Sequence, residues 1–172
     1  MGPALWPPLV APLVAAPFTG QTGPMASFSV HLDSTLPAPE AWRRVLDLHA
    51  HTAVIPLTTV TGEAMSADRL VPGSRFVART GVGPVGFDDV MVVDSISPPT
   101  AGAGGRARIH KEGKAVRGSI DLRVTPAGPG SRVEWSQQIG VRGVPRVLDP
   151  VVGRVARAAY GTTLRRLLER RG

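Results

Sequence analysis

Residues 115–141 read AVRGSIDLRVTPAGPGSRVEWSQQIGV, and the alternation in this stretch decides the fold. Val116, Gly118, Ile120, Leu122 and Val124 share one side of an extended chain; Arg117, Ser119, Asp121 and Arg123 share the other. Past the turn residues 126–130 the pattern resumes, with Val133, Trp135 and Ile139 opposing Arg132, Glu134 and Ser136. A period of two over two segments joined by a short turn is an antiparallel pair with one apolar face and one wet face. Upstream, Ala107 and Ile109 oppose Arg106, Arg108 and His110, and Glu112-Gly113 is a hairpin signal. The apolar face of such a meander must be covered.

The cover lies downstream. Leu148, Val151, Val152, Val155, Ala159, Thr163, Leu164, Leu167 and Leu168 recur at three- and four-residue spacing, with most arginines elsewhere. Pro145 is a helix start, and about 25 helical residues span roughly 37 Å, enough to cross a sheet. Gly153 and Gly161 lower helix propensity, which close packing or room for a guest molecule explains.

Working toward the N-terminus, residues 57–63, 75–82 and 86–96 are strand-like, the last with an ambiguous inward face. Phe28, Val30 and Leu32 alternate with Ser27, Ser29 and His31, which predicts an opening strand ended by Pro37. Pro39 suits the first turn of a helix and Glu40 suits its dipole; Trp42, Val45 and Leu46 follow at helical spacing, and Pro56 closes whatever helical turn comes after.

The 172 residues fit one domain, and 42% apolar residues can build its core. The absence of cysteine excludes disulfides, thiolate zinc sites and a cysteine nucleophile, and is compatible with a reducing, cytoplasmic setting. Residues 1–24 carry no charged side chain and six prolines, and are expected to be a disordered extension ahead of a domain at 25–172. A signal peptide is the alternative, although the positive n-region is missing. Residues 143–172 hold seven arginines against Asp149 and Glu169, a net +5 of the chain's +7. Such a helix can attract phosphate or an anionic membrane surface, or be a solvated face with arginines at the favourable end of the helix dipole. Nucleic acid is not an expected partner, since aromatics make up only 5% and are not interleaved with arginine. No glycine-rich phosphate loop opens a helix, and no cofactor is expected.

The order strand, short helical segment, six strands, long helix resembles the SRPBCC superfamily, which includes START-type domains and polyketide cyclase/dehydratase-like proteins. The resemblance rests on the opening FSVHLDSTLPAPEAW (28–42), the turn LVPGSRF (70–76), DSISPP (94–99) and PAGPGSRVEW (126–135). It implies an α+β helix-grip fold, a seven-stranded bent antiparallel sheet wrapped around a long C-terminal helix with short helices after the first strand. It also implies a cavity between sheet and helix that takes a small hydrophobic or amphipathic molecule. It supplies no catalytic residues.

By alternation the expected cavity walls are Phe28, Val30, Phe76, Met91, Ile109, Ile120, Leu122, Val133, Trp135 and Ile139, with Val152, Val155 and Ala159 from the helix and Gln137 as an inward polar group. Asp88 and Asp89 interrupt an apolar strand. One of them points inward if the strand is regular, as a ligand anchor or general base; a bulge or edge leaves both wet. His51 is placed at the cavity mouth. No metal is expected, because His49 and His51 point in different directions on a helix. His110, Lys111 and Glu112 are expected to form a surface charge cluster near a hairpin tip. Carriage of a hydrophobic molecule is the first expectation. A cyclase/dehydratase-type enzyme with an acid/base group in the cavity is the second, and an accessory protein docking an anionic partner through its basic helix is the third. An ionisable group buried in the cavity separates the second from the first.

Overall fold

A computed structural model describes residues 25–170; the proline-rich segment 1–24, with its expected disorder, and residues 171–172 lie outside the described residues. Seven strands form one antiparallel sheet in the order β1-β7-β6-β5-β4-β3-β2. They are β1 (Ala26–Ser34), β2 (Thr58–Gly62), β3 (Arg75–Val82), β4 (Val85–Ser97), β5 (Gly105–Glu112), β6 (Val116–Ala127) and β7 (Gly130–Val141). Helices α1 (Ala38–Val45) and α2 (Leu48–Val54) join β1 to β2, which lie at opposite edges, so this connection crosses the open side of the sheet. The long helix α3 (Asp149–Glu169) packs on β1, α1 and α2. This is the helix-grip architecture.

Local chemistry explains the elements. Pro39 sits in the first turn of α1, and Glu40 there binds Arg43 and Arg44. Asp47 caps α2, its Oδ1 accepting the Ala50 amide at 3.1 Å. α3 starts four residues later than Pro145: a 3-10 turn at Arg146–Leu148 comes first, and Pro150 occupies the first helical turn. Strand β4 carries a bulge between Val93 and Ser95. Before it Asp89, Met91 and Val93 face inward; after it Ile96 pairs with the inward Ala107, so the inward parity changes. That change is why the inward face of this strand is ambiguous in sequence.

The two ends of the fold differ. At one end Trp42, Leu122, Val124, Val133, Leu164 and Leu168 are packed together and buried. The arginine Arg44 closes this end by donating from Nη1 to the carbonyls of Leu168 (3.1 Å) and Arg170. At the other end Val152, Val155 and Ala159 on α3 are half-buried and line a gap between helix and sheet, beside Ala156, which packs against the core. The glycines of α3 are not the cause of this gap. A Cβ on Gly153 would stand 3.3 Å from the Ser27 carbonyl, so its bareness serves close packing on β1. A Cβ on Gly161 would make ordinary contact with Val30.

Candidate functional site

The gap is a cavity of about 350 Å³, at the lower end of the range typical for small-molecule sites. Its floor follows the strand register. Ile139, Gly118, Lys111, Met91 and Phe76 form one row across β7, β6, β5, β4 and β3. Asp89 and Ala78 belong to the next inward row, and Phe87 and Thr80 to the one beyond. The roof is α3, with His51 and Ile55 closing one side from α2 and the turn that follows it. The cavity reaches solvent beside Leu148 and Val151, which line it and are exposed.

Of the residues singled out in sequence, Phe76, Met91, Ile109, Ile120, Trp135, Ile139, Val152, Val155, Ala159, His51 and Asp89 line this cavity. Phe28, Val30, Leu122 and Val133 are buried in the core and do not line the cavity, with Phe28 against the Tyr160 ring. Gln137 is buried and accepts the Trp135 indole N–H at 3.0 Å, but does not reach the cavity. Asp88 faces outward and pairs with Arg79 at 3.1 Å. Along the arginine-rich helix Arg154, Arg157 and Arg165 are placed away from the cavity, and Arg166 donates to the Val54 carbonyl at 3.3 Å.

The surface cluster expected at residues 110–112 is corrected at its centre. His110 and Glu112 are on the outer face, the former bonded to Asp94 at 2.6 Å and the latter to Arg75 at 2.7 Å. Lys111 points the other way, and its side chain has no exposed surface. Its Nζ donates to Asp89 Oδ2 and lies 3.7 Å from Met91 Sδ. The register explains the contact: Lys111 is directly opposite Met91, and Asp89 is two residues along, so the charged pair is a diagonal cross-strand pair. Gly118, opposite Lys111 on its other side, has no room for a side chain, because a Cβ there would run into the Gln138 carbonyl.

Tyr160 completes the cluster from the helix. Its ring stacks on Trp135 at 5.5 Å and touches Phe28 at 5.6 Å. Burial is the largest single influence on Lys111 and pulls its pKa down. Tyr160 and Asp89 together outweigh it and hold the pKa above the ordinary lysine value, so the group stays an ammonium at neutral pH. The second oxygen, Asp89 Oδ1, is buried without a partner.

His51 is a second polar group of the wall. Its Nε2 lies 2.8 Å from the Val45 carbonyl, which can only accept, so Nε2 carries the proton and Nδ1 is the basic nitrogen. Burial lowers its pKa, opposed by the Val45 bond and by Asp47, and the imidazole is neutral at pH 7. Thr58 and Thr80 line the cavity at the β2–β3 corner and bond to each other at 2.7 Å.

Sequence alternation contained the signal for Lys111, since it has the parity of Ala107 and Ile109. Tyr160 lies four residues beyond Ala156 on the apolar stripe of α3 and was legible there too.

Fold and cavity together are those of a helix-grip architecture. Solved structures similar to it include TTHA0849 from Thermus thermophilus, with a TM-score of 0.63 and 15% identity over 83% of this chain and 94% of that one. A START superfamily protein from Mycobacterium smegmatis aligns with a TM-score of 0.58 and 16% identity over 83% and 94%. The Zhui aromatase/cyclase of Streptomyces sp. R1128 aligns with a TM-score of 0.57 and 15% identity over 83% and 93%. No protein-family model and no curated protein matches the sequence, so the likeness is one of fold. Among the described residues no helix is long and apolar enough to cross a membrane.

Proposed function

We propose that the protein binds and carries a small hydrophobic or amphipathic molecule in the cavity between α3 and the sheet. The observation that carries this reading is the gap itself: an apolar hollow of about 350 Å³ with an opening at Leu148 and Val151, in a fold whose other end is packed solid. Interiors are ordinarily close-packed, and an unfilled apolar space forfeits the contacts its lining would otherwise make. A guest restores those contacts. The cytoplasm is the setting we assign to it, in keeping with a chain without cysteine.

The test is titration with 1,6-diphenylhexatriene, an apolar dye that brightens in a dry site. Saturable binding by the wild type, lost in Ala159→Trp at unchanged circular dichroism, is the expected result. Dye binding that the bulky residue leaves unchanged contradicts the reading.

A second reading is favoured by a specific observation. A carrier needs only apolar walls, yet Asp89, whose carboxylate is bonded to Lys111, and a neutral His51 line this cavity. A cyclase/dehydratase-type enzyme would use such a group, with His51 Nδ1 as proton acceptor. Its test is cyclisation of a poly-β-ketone thioester. Rate enhancement that falls in His51→Gln while dye binding persists supports turnover, and a rate equal to that in buffer excludes it for that substrate class.

A further inference from the structure

We infer that the open end of the fold docks on the surface of a membrane containing anionic lipid, with the mouth of the cavity turned toward the bilayer. Among the described residues eight large apolar side chains are exposed, and six of them, Leu57, Val82, Val85, Val147, Leu148 and Val151, gather at this end. Val147 is 81% exposed, Val82 65% and Val85 62%. Single apolar side chains scattered over a surface need no account, but a concentration of them around one opening marks an interaction site.

The strand register places them. Thr80 and Phe87 pair across β3 and β4 and line the cavity. Val82 and Val85 are the next pair of the same parity, so they continue the inward face of the sheet past the cavity to the tip of the hairpin. Leu57 is tied to the same hairpin, its carbonyl accepting the Gly81 amide at 2.9 Å. On the opposite lip Leu148 and Val151 line the cavity at its opening, and Val147 stands beside them in the 3-10 turn ahead of α3. The six residues thus come from three separate connections and ring the opening. A fluid bilayer accepts separated apolar tips, each entering between headgroups, whereas a rigid partner has to match every lip at once.

The charge around the ring is mainly positive. Lys114 in the β5–β6 turn, Arg142 after β7, Arg146 beside Val147 and Arg154 one turn along α3 from Val151 stand against Asp149, while Asp88 is taken up by Arg79. Apolar tips with basic residues behind them hold a peripheral protein at an anionic surface. Docked this way, the opening faces the acyl chains, and an apolar guest passes between membrane and cavity without crossing water. Docking itself requires no guest in the cavity.

The experiment is flotation of the full chain with vesicles of phosphatidylcholine alone and of phosphatidylcholine mixed with phosphatidylglycerol. Wild type is expected to float with the anionic vesicles and to be released from them by salt. Val82→Ser/Val85→Ser/Val147→Ser changes only exposed residues outside the cavity wall. It should bind the anionic vesicles about tenfold more weakly, at unchanged circular dichroism and unchanged 1,6-diphenylhexatriene binding. Arg146→Gln should lower binding about fivefold, the weight of one basic side chain at an anionic surface. Spin-labelled lipid in the same vesicles reads the contact with no variant: the methyl signals of Val82, Val85 and Val147 should bleach before that of Val71, which is exposed ahead of the far end of β3. Absence of flotation, equal flotation with neutral and anionic vesicles, or flotation that the serine variant leaves unchanged overturns the inference. So does a wild-type dimer in sedimentation that the serine variant dissociates, because a second copy then covers the ring. Flotation without dye binding supports docking and removes the cavity reading; dye binding without flotation does the reverse.

Discussion

Lys111 and Asp89 stand diagonally across the β4–β5 ladder, with the ammonium donating to Oδ2 of the carboxylate that lines the cavity. Removing two charges from water is costly, and a pair in this position persists only when each member has the other.

Breaking the pair from one side should therefore cost far more than removing it. Asp89→Ala leaves a buried ammonium with Tyr160 alone and is expected to destabilise by about 3 kcal/mol, whereas Asp89→Leu/Lys111→Met should stay within about 1 kcal/mol of wild type. Urea denaturation of the three proteins checks the ordering. Equal losses in both variants would show that the pair is solvated.

Two pH effects follow, with opposite signs. The pKa of His51 is lowered in the folded state by burial, so the unfolded chain takes up the proton first as pH falls. Stability is complete above the ordinary imidazole value, about 6.5, and declines as pH drops below it; the decline should be smaller in His51→Gln. Lys111 has a raised folded pKa: burial works against it, but Tyr160 and Asp89 prevail. Its contribution is complete below the ordinary lysine value and is lost as pH rises through the folded one, a loss absent from the double variant. Denaturation midpoints from about pH 5 to 11, a span that brackets both ordinary values, measure both limbs.

These residues also mark how far the sequence can be read. The seven strands and the long helix are legible because alternation and helical spacing are intact over most of the chain, above all in 115–141. Sequence reading puts Lys111 at the surface although its parity with Ala107 and Ile109 points inward, because a lone lysine in a core is prohibitively costly. What makes it tolerable is Asp89, 22 positions away. That proximity depends on strand register, and hence on a bulge at Val93/Ser95 that no periodicity announces. The same bulge hides which of Asp88 and Asp89 faces inward. Phe28, Val30 and Leu122 share the inward face, as alternation requires, and lie in the same rows as the cavity-lining Ile109, Ile120 and Trp135, yet they are covered by the core, Phe28 by the Tyr160 ring. Parity fixes a face, while what packs over each residue decides between core and cavity.

Gly118 holds the β6 side of the site open at a backbone angle that favours glycine, φ +145°. A Cβ there would collide with the Gln138 carbonyl. Gly118→Ala is expected to disrupt β6–β7 pairing and cost more than about 3 kcal/mol. A soluble variant with wild-type stability would contradict this placement.

Arg44 ties α1 to the end of α3 through the carbonyls of Leu168 and Arg170. Arg44→Ala should cost about 1–2 kcal/mol and raise amide exchange in the last turn of α3, leaving the cavity end of the helix unaffected. Exchange mass spectrometry with fragment resolution separates the two ends.

Methyl-resolved NMR during titration with 1,6-diphenylhexatriene tests most directly whether the hollow under α3 holds a guest. The predicted result is saturation at one equivalent with shifts concentrated at Ile109, Ile120, Ile139, Val152 and Val155, all of which line it. Unmoved signals at these five residues, with any shifts gathered at the exposed Val82, Val85 and Val147, would contradict it.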